Sequence, residues 1–495
     1  MEGKKKYILA VDQSTQGTKG LIFDNKGRLV ARADRLHRQI IDDRGYVEHD
    51  PIEILYNTYA VCTDVVRNAG IEPGSILAMG ISNQRETTVA WDKKTGHPIM
   101  NAIVWQCSRA AGTAEKHRDE AEDIRRKTGM ILSPYFPAAK MQWIMEHVPE
   151  ATRLQENGSL AMGTIDAWLV FNLTGGKSFK TDYSNASRTQ LFNIHNLEWD
   201  EGLLKSFGIS SNVLPEVVMS DSVFGMTTIN GFLSDPIPIC GVLGDSHGAL
   251  FGQNCRKEGQ LKATYGTGSS VMMNIGRSIK LSDNGLVTSL AWGRNGKVEY
   301  VFEGNLNYTG AVITWLKDEV GLITEPADTK ELAQSANKED RTYFVPAFTG
   351  LGSPYWDPDA TGMFTGITRT TGKKELVKAC VECIAYQITD LINLMRADAG
   401  LTISSIRVDG GPTANEYLMQ FQSDIADCKV QIPKLRELSG MGAAYMAGIS
   451  AGLFDEENIF DCIEYTEYLP AMQDEAREQL ISGWKDAVKQ VLTYR

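Results

Sequence analysis

Pro238-Ile-Cys-Gly-Val-Leu-Gly244-Asp245-Ser246-His247-Gly248-Ala249-Leu250-Phe251-Gly252, at the midpoint of the chain, is the stretch from which the fold is read. Ile237 to Leu243 is an apolar run broken only by Pro238 and Gly241, so it reads as a buried strand, and the small apolar residues from Ser246 onward open a helix. Asp245 then stands at the carboxyl end of a strand. Open α/β sheets bind ligands there, and a carboxylate so placed can act as a general base or hold a metal ion. An aspartate before a helix is also a common N-cap, and taken alone the stretch favours the cap.

The 495 residues exceed one ordinary core and predict at least two domains. A net charge of −12 argues against nucleic acid or an anionic membrane surface as the main partner, and an anionic ligand would need local positive charge. Eight cysteines follow no regular spacing, as expected in a reducing compartment. Cys380 and Cys383 form a C-x-x-C whose spacing puts both on one helix face, which reads as core packing. The basic start, Met1 to Lys6, precedes only five apolar residues, too few for a signal peptide, and no later stretch is long enough to span a bilayer. A soluble, cytoplasmic protein is expected.

Outward from the midpoint, each half opens alike. Tyr7–Val11 is a strand, Asp12 to Lys19 a broad polar turn, Gly20–Phe23 a second strand and Arg28–Ala31 a third. The eight turn residues can aim backbone N–H groups and hydroxyls at phosphate oxygens, with Lys19 adding charge. Asp50-Pro51 opens a helix that runs to about Gly70. Ile76–Ser82 is a strand, Asn83–Glu86 a charged turn, Thr87–Trp91 a returning strand and Ala102–Trp105 another. After Asp245 the pattern repeats: Gln260–Tyr265 is a strand, Gly266-Thr-Gly-Ser-Ser270 a turn, and Val271–Asn274 a strand. Ile406 to Asp409 is a strand ending in Gly410-Gly411 before a helix from Glu416, which lets a ligand approach the backbone. Gly440 to Gly448 is a small-residue helix suited to close packing. Two like domains facing each other over a cleft are expected.

Asn83-Gln-Arg-Glu-Thr-Thr88, Asn101-Ala-Ile-Val-Trp-Gln106, Tyr183-Ser-Asn-Ala-Ser-Arg-Thr189, Thr264-Tyr-Gly-Thr-Gly268, Val345-Pro-Ala-Phe-Thr-Gly-Leu-Gly352, Pro354-Tyr-Trp-Asp-Pro358, Arg407-Val-Asp-Gly-Gly411 and Leu418-Met-Gln-Phe-Gln-Ser-Asp424 follow one another across almost the whole chain. In this order they resemble the sugar and polyol kinases of the FGGY type, and among them the glycerol kinases. The resemblance implies an α/β fold of two actin-like, hexokinase-like (ribonuclease H-like) domains, each a mixed sheet with flanking helices. A polyol-binding domain would span 1–252 and a nucleotide-binding domain 253–495.

The resemblance further implies ATP-dependent phosphorylation of a small polyol at a terminal hydroxyl, glycerol first, with Mg²⁺ and a homo-oligomeric state, dimer or tetramer. Asp245 would be the catalytic base. Arg85, Glu86, Tyr135 and Asp245 would bind the polyol, beside Trp105, Ser246 and Ser270. Thr15, Gln16, Gly17 and Lys19 would lie near the phosphates, Asp12 would hold the metal through water, and Thr267, Gly310, Thr314, Gly411 and Asn415 would contact the nucleotide. Several positions depart from the pattern: Ser246 replaces a glutamine, Ser270 an aromatic ring, Thr314 a glutamine, and Lys19 an arginine. Pro236 and Phe232 stand where relatives carry residues of fructose 1,6-bisphosphate inhibition and histidine phosphorylation, so neither control is expected. Alternatives are a kinase for erythritol, threitol, a pentitol or a ketopentose such as xylulose, and an actin- or chaperone-like nucleotide-driven binding protein.

Overall fold

A computed structural model describes residues 6–493, so of the basic start only Lys6 lies within the described residues. The first half builds a six-stranded sheet from β1 (Tyr7–Gln13), β2 (Gly17–Phe23), β3 (Leu29–Leu36), β4 (Ile76–Asn83), β5 (Val223–Thr227) and β6 (Ile237–Gly244), ordered β5-β6-β4-β1-β2-β3. The meander β1-β2-β3 is antiparallel, β4 runs parallel to β1, and β6 runs parallel to β4.

The second half repeats this plan in seven strands: β7 (Leu261–Tyr265), β8 (Ser269–Gly276), β9 (Val287–Arg294), β10 (Lys297–Leu306), β11 (Ser405–Gly410), β12 (Lys429–Pro433) and β13 (Tyr465–Tyr468). Their order is β9-β10-β8-β7-β11-β12-β13. Antiparallel strands again lead into parallel partners, β11 on β7 and β12 on β11, but here β10 inserts between β8 and the edge strand β9. The repeated opening seen in the sequence is therefore a repeat of sheet topology.

The helices used below are α1 (Pro51–Ala69), α2 (Pro137–His147), α3 (Asp245–Gly252), α4 (Gly310–Asp318), α5 (Lys373–Ala399), α6 (Glu416–Ala426) and α7 (Leu438–Ser450). Helix α1 forms as its sequence directs: Asp50 accepts from the Ile52 amide at 2.8 Å, Pro51 occupies the first turn, and Gly70 closes it at φ 61°. Cys380 and Cys383 are free, buried thiols of α5 within the core of the second half.

Helix α7 returns from the second half to cover the first sheet. It lies so close that an added Cβ on Gly442 would fall 1.9 Å from the Gly248 carbonyl oxygen of α3, and one on Gly80 of β4 would fall 2.4 Å from the Ala443 carbonyl oxygen. Glycine is required at both contacts because backbone meets backbone. The apolar cluster beneath α7 joins Ile8, Leu21, Phe23 and Leu243 to Met441, Tyr445 and Phe460.

Two turns are shorter than the sequence predicts. Strand β1 continues through Gln13 and β2 starts at Gly17, pairing Asp12 with Lys19 and Gln13 with Thr18, so only Ser14, Thr15 and Gln16 turn. Likewise β8 starts at Ser269, leaving Gly266, Thr267 and Gly268 between the strands. Asp12, Gln13, Thr18 and Ser269 are buried. Their polarity belongs to buried strand ends, not to a solvated loop. The expected strand Thr87–Trp91 is Val89–Asp92, which pairs with Leu160–Gly163 in a small separate sheet, and Ala102–Trp105 shortens to Ala102–Ile103.

Candidate active site

Asp245 starts α3 directly after β6, but Gly244 occupies the N-cap position, with no side-chain cap. Among the described residues, the Asp245 carboxylate accepts a hydrogen bond only from the adjacent Ser246 amide, at 2.6 Å, and lies 3.3 Å from Nε of Arg85. The side chain stays 35 % exposed. The capping reading gives way to a partly exposed carboxylate with free lone pairs. Burial raises its pKa, opposed by Arg85 and assisted by Glu86, which favours a proton acceptor over a permanent anion.

Arg85 follows β4 and is the hub of a buried charge network. Its Nη1 and Nη2 donate to the two carboxylate oxygens of Glu303 on β10, at 2.9 and 2.8 Å. Arg188, just past the short helix Tyr183–Ala186, donates through Nε to Glu86 at 2.7 Å and through Nη1 to Glu303 at 2.7 Å. These side chains are at most 6 % exposed, so Arg85-Glu86 is not the surface ion pair its sequence also permits. Although burial opposes it, Arg188 and Arg85 hold the Glu303 carboxyl well below its ordinary pKa. Nε of Arg85 is buried and has no hydrogen-bond partner among the described residues. A buried donor left open beside Asp245 is what a hydroxylated ligand would satisfy.

The remaining residues expected around the polyol gather here. Trp105 packs edge-on against Tyr135, ring centroids 5.5 Å apart, and its indole N–H donates to Thr15 Oγ1 at 2.9 Å. Beneath them Lys140 of α2, fully buried, donates to the carbonyls of Glu86 (2.8 Å) and Tyr135 (2.6 Å). Burial pushes its amine down to about 7. Ser270 donates to Glu303 at 3.2 Å, so this position lines the same network from the second half.

On the neighbouring strand ends, Lys19 bonds Glu437 at 2.7 Å and stands 3.8 Å from Asp12. Burial lifts Asp12 to about 6 against the pull of Lys19, and its Oδ1 is buried without a partner. A magnesium ion is commonly held by one or two carboxylates with water and substrate phosphates, and an orphaned carboxylate oxygen beside the phosphate turn fits that role. Thr15 and exposed Gln16 lie in the turn above it, and Gly17 is the first residue of β2. Gly17 lies flat against β3, where an added Cβ would fall 2.5 Å from the Arg35 carbonyl oxygen.

On the second half, Gly310 opens α4 against the Gly266-Thr267-Gly268 turn: its amide donates to the Gly266 carbonyl at 2.9 Å, and the Thr267 carbonyl accepts from Thr309 and Ala311. An added Cβ on Gly310 would lie 3.5 Å from Pro412, so the Thr267 turn, Gly310 and Gly411 come together, whereas one on Gly411 would meet nothing within 4 Å. Two expected residues are otherwise engaged. Asn415 caps α6 through the Leu418 amide and donates to Thr329, and Thr314 is exposed with its hydroxyl turned back to the Gly310 carbonyl.

Arg188, Glu303 and Lys140 received no role from the sequence. They lie far from Arg85 along the chain, and no local pattern announces a buried ion pair or a desolvated lysine. The nearest signal is the place of Arg188 inside the stretch Tyr183–Thr189.

The N-terminal domain of the FGGY family of carbohydrate kinases matches residues 7–252, and the C-terminal domain matches 261–451. Among curated relatives, the glycerol kinase of Alkaliphilus oremlandii is 44% identical over 99% of this chain and 98% of its own. Glycerol kinase 1 of Thermotoga maritima is 46% identical over 98% of this chain and 100% of its own. The crystal structure of Plasmodium falciparum glycerol kinase with ADP superposes at a TM-score of 0.93, with 34% identity and 99% of each chain covered. A xylulose kinase from Lactobacillus acidophilus shares the fold at a TM-score of 0.88 and 23% identity, over 99% of each chain.

Proposed function

We propose that this chain, which belongs to the FGGY family of carbohydrate kinases, transfers the γ-phosphoryl group of ATP to a terminal hydroxyl of glycerol, giving glycerol 3-phosphate and ADP. Residues 1–252 would hold the polyol and 253–495 the nucleotide. Asp245 accepts the hydroxyl proton as its oxygen attacks the γ-phosphorus and the bond to the ADP oxygen breaks. Arg85, Glu86 and Tyr135 orient the polyol, with Trp105 as a wall. Thr15, Gln16, Gly17 and Lys19 address the transferring phosphoryl group, and Thr267, Gly310 and Gly411 the nucleotide. Asp12 would hold Mg²⁺ through water, and the ion when bound offsets charge on the β- and γ-phosphate oxygens. Closure of the two halves excludes water as a competing acceptor. With eight unpaired thiols and no helix long and apolar enough to cross a membrane among the described residues, we place the enzyme in the cytoplasm, and family resemblance adds a homo-oligomer.

The observation that carries this reading is the uncapped Asp245 carboxylate at the end of β6, 3.3 Å from the open Nε of Arg85. A protein that used ATP only to drive its own conformational change would have no need of this pocket. ADP release measured across glycerol, tetritols, pentitols and ketopentoses tests it. One ADP per polyol phosphate, with glycerol among the best acceptors, is the expected result; ATP turnover indifferent to every acceptor would overturn it.

A second reading rests on Ser270. A hydroxyl stands on Glu303 where the resembling enzymes carry an aromatic ring, so less side-chain volume borders the polyol and a longer one fits.

A further inference from the structure

Away from the cleft, a cavity of about 180 Å³ opens between the end of α3, the β9–β10 hairpin and the segment after α7. Four cationic side chains line it, Arg256, Arg277, Arg294 and Lys297, against two carboxylates, Glu299 and Glu456. The Glu456 carboxylate is shared: Arg256 reaches its Oε1 at 2.8 Å and Arg294 pairs with the same oxygen. Arg277 and Lys297 are exposed and have no carboxylate partner among the described residues. Asn295 and Gly296 at φ 51° and 73° make the tight hairpin turn that sets Arg294 and Lys297 on either side of the opening. Arg256 lies 4.2 Å above the Phe460 ring, which fixes its planar fork.

An excess of two positive charges around one open cavity is unusual for a chain of net charge −12, and nothing in the proposed phosphoryl transfer uses it. Like charges are held together here with too few counter-charges, so an anion entering the cavity would relieve their repulsion. Guanidinium forks match phosphate oxygens in geometry, and the cavity is large enough to admit several waters or a small anion. We propose that this cavity binds a small phosphate-bearing anion, either inorganic phosphate or a phosphate monoester. The site shares two elements with the proposed catalytic machinery: Phe251, which lines it, belongs to the helix that begins with Asp245, and Glu299 lies on the strand that carries Glu303.

The test is calorimetric binding of inorganic phosphate and, separately, of glycerol 3-phosphate to the full-length enzyme saturated with a non-hydrolysable ATP analogue and Mg²⁺, so that the phosphate subsites of the cleft are filled. The double variant R277A/K297A removes the two unpaired cations without touching any residue placed in the cleft. We expect saturable binding that this variant weakens about tenfold or more, with kcat unchanged in the absence of added anion. Equal affinities for the two anions would assign recognition to the phosphate group alone, and tighter binding of the ester would assign part of it to the carbon chain. Absence of binding for both, or binding unaltered in R277A/K297A, would overturn the proposal.

Discussion

Both carboxylate oxygens of Glu303, a residue of the second sheet, accept hydrogen bonds from Arg85, a residue of the first, at 2.8 and 2.9 Å. The side chain proposed to hold the polyol is thus oriented by the opposite half of the molecule. Glu303→Gln keeps the shape and removes the charge that balances Arg85 and Arg188. Breaking a buried pair this way costs about 3–5 kcal/mol. We expect a lower thermal midpoint and a polyol KM raised about tenfold or more, with nucleotide affinity unchanged. Arg85→Ala should raise the polyol KM further. Steady-state kinetics in both substrates separate these outcomes, and equal changes for polyol and nucleotide would point to a general folding defect.

Asp245→Asn should lower turnover by about 10²–10⁴-fold, the usual contribution of a general base. Because Gly244 holds the cap position, the thermal midpoint should not register the loss of about 0.5–2 kcal/mol that follows removal of a capping side chain. ADP binding should persist in calorimetry. Retention of more than a tenth of the wild-type rate would remove Asp245 from the mechanism.

Lys140 ties stability to pH. Its amine has a pKa near 7 in the folded protein and 10.5 ordinarily. Below pH 7 both states carry the proton and the burial penalty is present in full. Between pH 7 and 10.5 the unfolded chain holds a proton that the native protein lacks, so stability rises with pH, by up to about 1.4 kcal/mol per unit. Denaturant midpoints at pH 7 and pH 9 should show this gain in the wild type and a smaller one in Lys140→Met; identical gains would place the titration elsewhere.

Ser270→Phe restores an aromatic ring beside the polyol. Erythritol, threitol or a pentitol should be phosphorylated by the unmodified enzyme with kcat/KM comparable to glycerol, and the variant should lose these longer acceptors selectively. Strict glycerol specificity in the unmodified enzyme would mean that another side chain fills the space.

The repeated topology, helix α1 and the position of Asp245 at a strand end were legible because each rests on local alternation, a cap or a glycine. Asp12 and Lys19 were misplaced into a loop because a polar strand end has the composition of a turn. Arg188 and Glu303 were invisible for a different reason: a buried ion pair is recognised by its partner, and these partners lie 102 to 218 residues away. Ser270 was noticed as an exception, but its bond to Glu303 depends on the register of β8 against β10.

The close crossing of α7 over α3 also fixes an order of events during synthesis. The sheet carrying Asp12 and Asp245 is made early, yet the helix that covers its apolar face arrives only with residues 438–450. At about 5–20 residues per second the ribosome takes about 10–40 s to deliver it after Gly252 has emerged. Throughout that interval Ile8, Leu21, Phe23 and Leu243 lack their cover. A fragment ending at residue 252 should therefore associate with itself or with chaperones, and a chain stopped shortly before Gly442 should fare no better even though every strand of the first sheet has already been made.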